Sequence, residues 1–185
     1  MKDQQPTIWT IGHSTRGLDE VFQLLRAFSI EALADVRRFP ASRRYPHFNG
    51  DALRQSLGGI GIEYSHFPEL GGRRQPRPDS PNTLWRNASF RAYADYMESD
   101  EFQAGVQRLL ELAQRRRTAI MCAEAVWWRC HRALIADYLK ATAISVCHII
   151  DAKKSEENPF TSAARLREGK LTYSPPSGNS LWPEN

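Results

Sequence analysis

Short apolar runs alternate with helical apolar patterns along most of this chain, and this alternation limits the fold more than any other feature. Runs of strand-forming residues lie at 7–11, 31–36, 62–67, 118–122 and 144–150. Between them, apolar residues recur at helical spacing from Leu18 and at 49–57, 89–97, 100–117 and 133–140. This β-α-β-α order predicts an α/β fold with a mostly parallel sheet of about five strands and helices on both faces.

The length and charge of the chain add two expectations. With 185 residues it suits a single domain, and the loss of apolar pattern after residue 150 predicts an α/β domain over 1–150 and a polar C-terminal tail over 151–185. The net charge of +4 and the pI near 9.1 favour an anionic small molecule or a nucleic acid as partner.

The sequence also indicates a compartment. No segment approaches the roughly 18 apolar residues of a membrane span, and residues 1–6 lack the apolar run of a signal peptide. Three cysteines without disulfide-framework spacing suit a reducing environment. We therefore expect a cytoplasmic protein with no membrane partner, and the sequence makes no prediction of its oligomeric state.

The connection between the 118–122 strand and the next helix carries most of the reactive side chains. Its Cys-Ala-Glu and Cys-His-Arg segments offer thiols, a carboxylate and an imidazole for nucleophilic or acid/base work. In a parallel sheet all strand carboxyl ends lie along one edge, so residues that follow the first two strands should meet this connection. The candidate catalytic residues are Glu124, His131, His13, Asp35, Cys122 and Cys130.

A second set of residues is suited to hold an anion at the same edge. Backbone amides at helix starts and the forked guanidinium groups of arginine both bind phosphate and carboxylate. The candidate substrate-binding residues are Gly12, Ser14, Thr15, Arg37, Arg38, Arg43 and Arg132. Purely structural roles stay open: Ser14 or Thr15 as a helix cap, Asp35 with Arg37 as an ion pair, Arg132 tied to a carboxylate, and the cysteines as buried apolar residues.

Several well-known site motifs do not occur. The chain has neither the G-x-G-x-x-G nor the G-x-x-x-x-G-K-[ST] pattern of nucleotide sites, and Arg129 stands one position too late for the C-x₅-R loop of a cysteine phosphatase. It also has no C-x-x-C pair and no H-E-x-x-H segment. We therefore expect no cofactor and no metal ligands, with a catalytic zinc as the lesser alternative.

Four ordered motifs resemble a known family. Thr-Ile-Gly-His-Ser-Thr at 10–15, Asp-Val-Arg at 35–37, Pro-Glu-Leu-Gly-Gly at 68–72 and the Cys-Ala-Glu…Cys-His-Arg segment are similar to the domain-of-unknown-function 488 family over about residues 7–150. The resemblance implies a Rossmann-like α/β fold and a bacterial or archaeal cytoplasmic protein, but it supplies no mechanism. One departure is Asn158 before Pro159, where similar tails carry a histidine.

Together these features predict a metal-independent enzyme, a hydrolase or transferase that acts on a phosphorylated, nucleotide-like or nucleic-acid substrate at the carboxyl edge of the sheet. Two alternatives remain. The arginine-rich loops suit a nucleic-acid-binding module without catalysis, and the two cysteines of the 122–132 connection suit a thiol-dependent redox or sulfur-transfer protein.

Overall fold

The computed structural model describes residues 5–176, and its core is one six-stranded sheet in the order β3-β2-β4-β1-β5-β6. The first five strands are parallel, and β6 pairs antiparallel with β5. The sheet strands are β1 (Ile8–Gly12), β2 (Ala32–Asp35), β3 (Glu63–His66), β4 (Thr118–Cys122), β5 (Val146–Ile149) and β6 (Ser155–Glu157). The predicted α/β fold with a mostly parallel sheet is confirmed.

Within residues 5–176, five α-helices cover the two faces of the sheet. They are α1 (Leu18–Ala27), α2 (Gly50–Gly58), α3 (Ala88–Tyr96), α4 (Asp100–Arg115) and α5 (Arg132–Ala141). Apolar residues of α1 and α2 form one core cluster, whereas those of α3, α4 and α5 form the other. Because each helix buries one apolar stripe, the central strands β1, β2 and β4 are buried on both faces.

The register of the central strands positions the functional residues. In the parallel pairing of β1 with β4, Gly12 stands beside Cys122, and in the pairing of β2 with β4, Asp35 stands beside Met121. The carboxyl ends of these three strands therefore lie next to one another. The residues that follow them emerge at a single edge of the sheet.

The tail beyond residue 150 contains structure that its polar sequence did not predict. Besides β6, it forms an antiparallel hairpin of β7 (Arg165–Arg167) and β8 (Lys170–Thr172). The phenol of Tyr173 is buried and donates to the carboxylate of Asp137 in α5 at 3.0 Å. These strands are too short and too polar to show an apolar alternation, and residues 177–185 of the predicted tail lie outside the described part.

Asn158, in the tail, is buried beside the central sheet. Its Oδ1 accepts a hydrogen bond from Nε2 of His148 at 2.8 Å, and Nδ1 of the same imidazole lies 2.7 Å from the hydroxyl of Thr10. The tail is therefore tied to β1 and β5 through a buried polar chain.

Within residues 5–176, no helix has the length and apolar character needed to cross a lipid bilayer.

Candidate functional site

A cavity of about 580 Å³ opens where β1, β2 and β4 end. Its wall is built from residues that are distant in sequence and that the parallel register brings together. The sequence-predicted residues that line it are His13, Ser14, Thr15, Arg37, Arg38, Cys122, Glu124, Cys130 and His131. Four further predicted residues, Gly12, Asp35, Arg43 and Arg132, do not line this cavity.

Two thiols and one imidazole form a compact group in the cavity wall, here called the thiol–imidazole cluster (Cys122, Cys130 and His131). Nδ1 of His131 lies 3.4 Å from Sγ of Cys130 and 3.9 Å from Sγ of Cys122. On its other side, Nε2 of His131 lies 2.9 Å from the carbonyl oxygen of Val36. Since a carbonyl oxygen only accepts, Nε2 carries the hydrogen and Nδ1 presents its lone pair to the thiols.

The two thiols of the cluster differ in their tendency to ionise. The hydrogen bond from the Cys122 thiol lowers the pKa of Cys130, and the nearby Arg132 lowers it further. The same hydrogen bond and burial raise the pKa of Cys122. Cys130 is therefore the thiol that this environment favours as thiolate, while Cys122 keeps its proton.

The cavity wall is strongly cationic. Among the described residues, five arginines line it against a single carboxylate, that of Glu124; the arginines are Arg37, Arg38, Arg44, Arg73 and Arg129. In the described part of the chain, Arg44, Arg73 and Arg129 form no ion pair with a carboxylate. Arg129 was not predicted as a site residue, because a single arginine in a loop carries no sequence signal for binding.

Asp35 supports the wall instead of facing the substrate space. Its carboxylate is fully buried and accepts from the guanidinium of Arg37 at 2.8 and 2.5 Å and from the hydroxyl of Tyr64 at 2.8 Å. This is the buried ion pair that the sequence left open. Both carboxylate oxygens are engaged and shielded, so a direct part in catalysis finds no support in this geometry, and the role predicted for Asp35 stays a prediction.

His13 is a neutral, packed residue of the wall. Its ring stacks on Phe48 with centroids 4.1 Å apart, and Nδ1 donates to the carbonyl oxygen of Ser14 at 3.1 Å. Burial, together with the charge of Arg37, lowers the pKa of His13 to about 4. A general-acid role for His13 near neutral pH is therefore not supported, although Nε2 remains an acceptor 3.4 Å from Arg37.

Two backbone amides of the turn after β1 are engaged within the protein. The amides of His13 and Ser14 donate to the carbonyl oxygens of Cys122 and Ala123 at 3.0 and 2.9 Å. These two amides join the ends of β1 and β4, while the anion-binding role predicted for residues 12–15 stays a prediction. Neither Ser14 nor Thr15 caps α1, because the cap position is Gly17 and has no side-chain bond.

Arg132 fixes the loop after β4 through hydrogen bonds to its backbone. Its buried guanidinium donates to the carbonyl oxygens of Glu124 and Ala125 at 2.5 and 3.3 Å and to the hydroxyl of Thr10 at 3.2 Å. Its partners are two carbonyl oxygens and a hydroxyl instead of the carboxylate considered as the alternative. Neither Arg132 nor Arg43 lines the cavity, whereas the neighbouring Arg44 does, and the anion contacts predicted for Arg132 and Arg43 stay predictions.

Aromatic residues flank the cationic wall. Phe39 lines the cavity and is 64% exposed, and Trp128, next to Arg129, is 55% exposed. Trp127 is buried instead and stacks on His148 with ring centroids 4.1 Å apart. The cavity therefore combines unpaired cations with accessible π surfaces.

Gly72 belongs to the site for a steric reason that the sequence did not reveal. A Cβ at this position would lie 3.1 Å from Nδ1 of His131, so a side chain would crowd the imidazole edge that faces the thiols. The Pro-Glu-Leu-Gly-Gly motif marked this glycine, but no chemical role followed from the motif.

Comparisons with known proteins identify the family but no activity. The profile of the family described as Domain of unknown function DUF488 matches residues 17–139, more than half of the chain, and this range contains the whole thiol–imidazole cluster. No curated protein and no solved structure matches the chain. The motifs, the fold and the profile agree, and the chain therefore belongs to the family Domain of unknown function DUF488.

Proposed function

We propose that this protein is an enzyme, a hydrolase or transferase, that acts on a phosphate-bearing anionic substrate in the arginine-lined cavity. One observation carries the proposal: the thiol–imidazole cluster and an excess of arginines share the wall of one cavity. A nucleophile, a proton acceptor and an anion-binding surface are thus available to a single bound molecule.

The charge of the cavity supports an anionic substrate. Five guanidinium groups face one carboxylate across a cavity with low-dielectric walls, which concentrates a positive field inside it. Arg37 is held rigidly by Asp35, whereas Arg44, Arg73 and Arg129 are free of carboxylate partners in the described residues. These three arginines gain most from a bound phosphate, because no existing ion pair has to be broken.

The cluster supplies a route for nucleophilic substitution. Nδ1 of His131 accepts the proton of the Cys130 thiol, and the thiolate forms a bond to the electrophilic phosphorus or carbon of the substrate. The leaving group departs with its electron pair and takes the proton from the His131 imidazolium. Water then breaks the bond to sulfur in a hydrolase, or an acceptor hydroxyl does so in a transferase.

Glu124 is placed to assist the second step. Its side chain is exposed and lines the cavity, while its carbonyl oxygen is anchored by Arg132, so the residue is fixed at the backbone and free at the carboxylate. A carboxylate in this position takes the proton of the attacking water or hydroxyl. Among the lining residues it is the only acid, which makes it the clearest residue to substitute.

The proposal is tested by turnover of a panel of phosphate compounds: an aryl phosphate, nucleoside mono- and diphosphates, and sugar phosphates. We expect Cys130→Ser and Glu124→Gln to reduce turnover at least about 100-fold, since general acid/base catalysis alone contributes 10²–10⁴-fold. Glu124→Gln should leave the calorimetric affinity for pyrophosphate unchanged. The matched control Cys147→Ser, a thiol on β5 outside the cavity, should retain full turnover.

Two results would remove this proposal. Unchanged turnover in both Cys130→Ser and Glu124→Gln would take the cluster out of the mechanism. Absence of pyrophosphate binding to the wild-type protein, together with no turnover across the panel, would contradict an anionic substrate altogether.

A second candidate, a nucleic-acid-binding module, is favoured by the exposed rings of Phe39 and Trp128 beside unpaired arginines. Stacking on aromatic rings and phosphate contacts to arginine are the usual basis of single-strand binding. This reading predicts oligonucleotide binding that weakens steeply with salt and that is lost in the double variant Phe39→Ala, Arg44→Gln. Binding that is absent or insensitive to salt would count against it.

The third candidate, thiol redox chemistry, is favoured by the proximity of Cys122 and Cys130. Oxidised glutathione would take up the two electrons of this pair, forming one intramolecular disulfide and two reduced glutathione molecules. This candidate would be supported if oxidised glutathione removed the free thiols of both Cys122 and Cys130 in the wild-type protein and dithiothreitol restored them. A stable mixed disulfide or no reaction would exclude it.

A further inference from the structure

We propose that Cys122, Cys130 and His131 form a site for a resident Zn²⁺ ion, with one coordination position open to the arginine-lined cavity. The ion-binding site stands on its own geometry, whereas a catalytic use of the ion rests on the proposed function. In residues 5–176 this is the one group of three such side chains whose donor atoms lie close together, all within 4.8 Å.

The donor atoms are already spaced almost as zinc requires. With Zn–S near 2.3 Å and Zn–N near 2.05 Å, a tetrahedral ion holds a sulfur and a nitrogen roughly 3.6 Å apart. Nδ1 of His131 lies 3.4 Å from Sγ of Cys130 and 3.9 Å from Sγ of Cys122. These two distances lie within a few tenths of an ångström of the tetrahedral value.

The hydrogen bond of Nε2 orients the His131 imidazole so that Nδ1 is free to coordinate the ion. Metal-bound histidines nearly always donate their second N–H to a carbonyl or carboxylate, which fixes the tautomer and the ring orientation. Here Nε2 of His131 donates to the carbonyl oxygen of Val36 at 2.9 Å. Gly72 leaves the Nδ1 edge open, since a Cβ there would lie only 3.1 Å from that atom.

The elements that hold the three ligands are rigid. Cys122 is the last residue of β4, and His131 occupies the N-cap position of α5 directly after Cys130. Both cysteines are buried among core residues of the sheet and helices. Preplaced ligands lower the entropic cost of binding, so the site is largely formed before the ion arrives.

The chemistry of the ligands selects a soft divalent ion. Two thiolates and an imidazole suit Zn²⁺, whereas Mg²⁺ and Ca²⁺ require oxygen ligands. Two thiolates also neutralise the double positive charge, so the buried cluster carries no net charge when it is loaded. Three protein ligands with a fourth position free is the arrangement of catalytic zinc sites, in contrast to closed structural sites.

Because Cys122, Cys130 and His131 all line the cavity, a water on the fourth coordination position of the ion would be accessible from it. Zinc lowers the pKa of such a water towards 7 and polarises a phosphoryl or carbonyl oxygen. The carboxylate of Glu124, on the same cavity wall, is then the acceptor for the water proton. This assignment replaces Cys130 as the attacking group while it keeps the substrate and the arginines in their proposed roles.

Direct metal binding tests the site without any substrate. Protein stripped by a chelator under reducing conditions is titrated with Zn²⁺ and with Co²⁺ as a spectroscopic probe. We expect one equivalent to bind with a Kd below about 1 μM, and we expect the cobalt form to show thiolate charge-transfer and tetrahedral ligand-field bands. The variants Cys122→Ser, Cys130→Ser and His131→Gln should each weaken binding more than about tenfold, while Cys147→Ser should bind as the wild type does.

A measurement on the wild-type protein covers the case in which a ligand variant fails to fold. Iodoacetamide labelling followed by mass spectrometry is compared with and without one equivalent of Zn²⁺. We expect the ion to protect Cys122 and Cys130 and to leave the labelling of Cys147 unchanged. The proposal would be overturned if the ion protected neither Cys122 nor Cys130, or if the protein bound less than about a fifth of an equivalent of Zn²⁺ at 10 μM protein.

Failure of the zinc site and failure of the proposed function give different results. If the stripped protein turns over the phosphate panel and Cys130→Ser does not, the thiolate mechanism stands and the catalytic use of zinc falls; if the stripped protein binds no zinc, the site itself falls. If the protein binds zinc as described but turns over no member of the panel, the site stands and the proposed reaction falls.

Discussion

Gly12 and Glu124 approach each other so closely that a side chain at position 12 has no space. A Cβ on Gly12 would overlap the carbonyl oxygen of Glu124 and would lie 2.8 Å from the Arg132 guanidinium that anchors this oxygen. The end of β1 and the loop after β4 are therefore locked together by a glycine, a carbonyl and a buried arginine. This contact holds Glu124 at the cavity.

Substitution of Gly12 should displace that loop. We expect Gly12→Ala to reduce the free energy of unfolding by at least about 2 kcal/mol, because backbone atoms must move to admit the methyl group. Urea unfolding measures the change. The control Gly58→Ala, whose Cβ meets nothing within 4 Å at the end of α2, should be neutral or slightly stabilising. Equal stability of the two variants would contradict the close approach.

The buried pair of Asp35 and Arg37 should dominate the stability of the cavity wall. We expect Asp35→Asn to cost about 3 kcal/mol of unfolding free energy, because the guanidinium loses its partner in a buried setting. Chemical denaturation measures this loss. Glu20→Gln, which breaks the exposed pair between Glu20 of α1 and Arg16 of the preceding turn, should change stability little. A small effect of Asp35→Asn would mean that Arg37 finds solvent or another acceptor.

The stability of the protein should fall in mild acid through His148. Burial lowers its pKa to about 4, whereas the unfolded histidine titrates near 6.5. The unfolded state thus takes up a proton that the native state refuses, so the free energy of unfolding decreases as pH falls from about 6.5 to 4. Above pH 7 this contribution is absent, since both states are neutral. The full effect is about 3 kcal/mol below pH 4.

The variant His148→Gln isolates this effect from the other titrating groups. His13, whose pKa is also lowered to about 4, adds a loss of the same sign, and Asp137, whose pKa is raised, opposes it. Urea midpoints from pH 7 to pH 4 should therefore fall less steeply for His148→Gln than for the wild type. Parallel curves would show that His148 accepts its proton in the native state.

A methyl group on Gly72 should disturb the thiol–imidazole cluster without unfolding the protein. In Gly72→Ala the Cβ would lie 3.1 Å from Nδ1 and 3.3 Å from Cγ of His131, so the ring must shift by a few tenths of an ångström and lose its placement beside the thiols. We expect cobalt affinity to fall at least about tenfold. Gly17→Ala, where a Cβ meets nothing within 4 Å, should bind cobalt normally. Unaltered affinity in Gly72→Ala would show that the ring has room.

Particular elements show which parts of the fold could be predicted. The strand at 118–122 and the helix at 133–140 could be predicted from an apolar run and from helical spacing, which are local properties of the chain. Strands β6, β7 and β8 could not be predicted, because three polar residues carry no pattern and depend on the partners that they meet. The edge at which the site lies followed from the parallel order of the strands.

The individual partners of the polar groups were not predictable. His13, Asp35 and Arg132 looked like catalytic or binding groups, yet the structure packs or hydrogen-bonds them to Phe48, Tyr64 and the carbonyl oxygens of the 124–125 segment, respectively. In the same way, the thiol–imidazole cluster arises because the start of α5 returns to the end of β4, and its spacing matches no linear metal motif.

The amino-acid sequence by itself determined the α/β architecture, the family and the side of the sheet that carries reactive groups, because hydrophobic periodicity and strand order act through local patterning. Only the tertiary structure decided which groups face the cavity and which stabilise its wall through buried hydrogen bonds and ion pairs. That division depends on long-range register and on the need of every buried polar group for a partner, and neither is written in the spacing of residues along the chain.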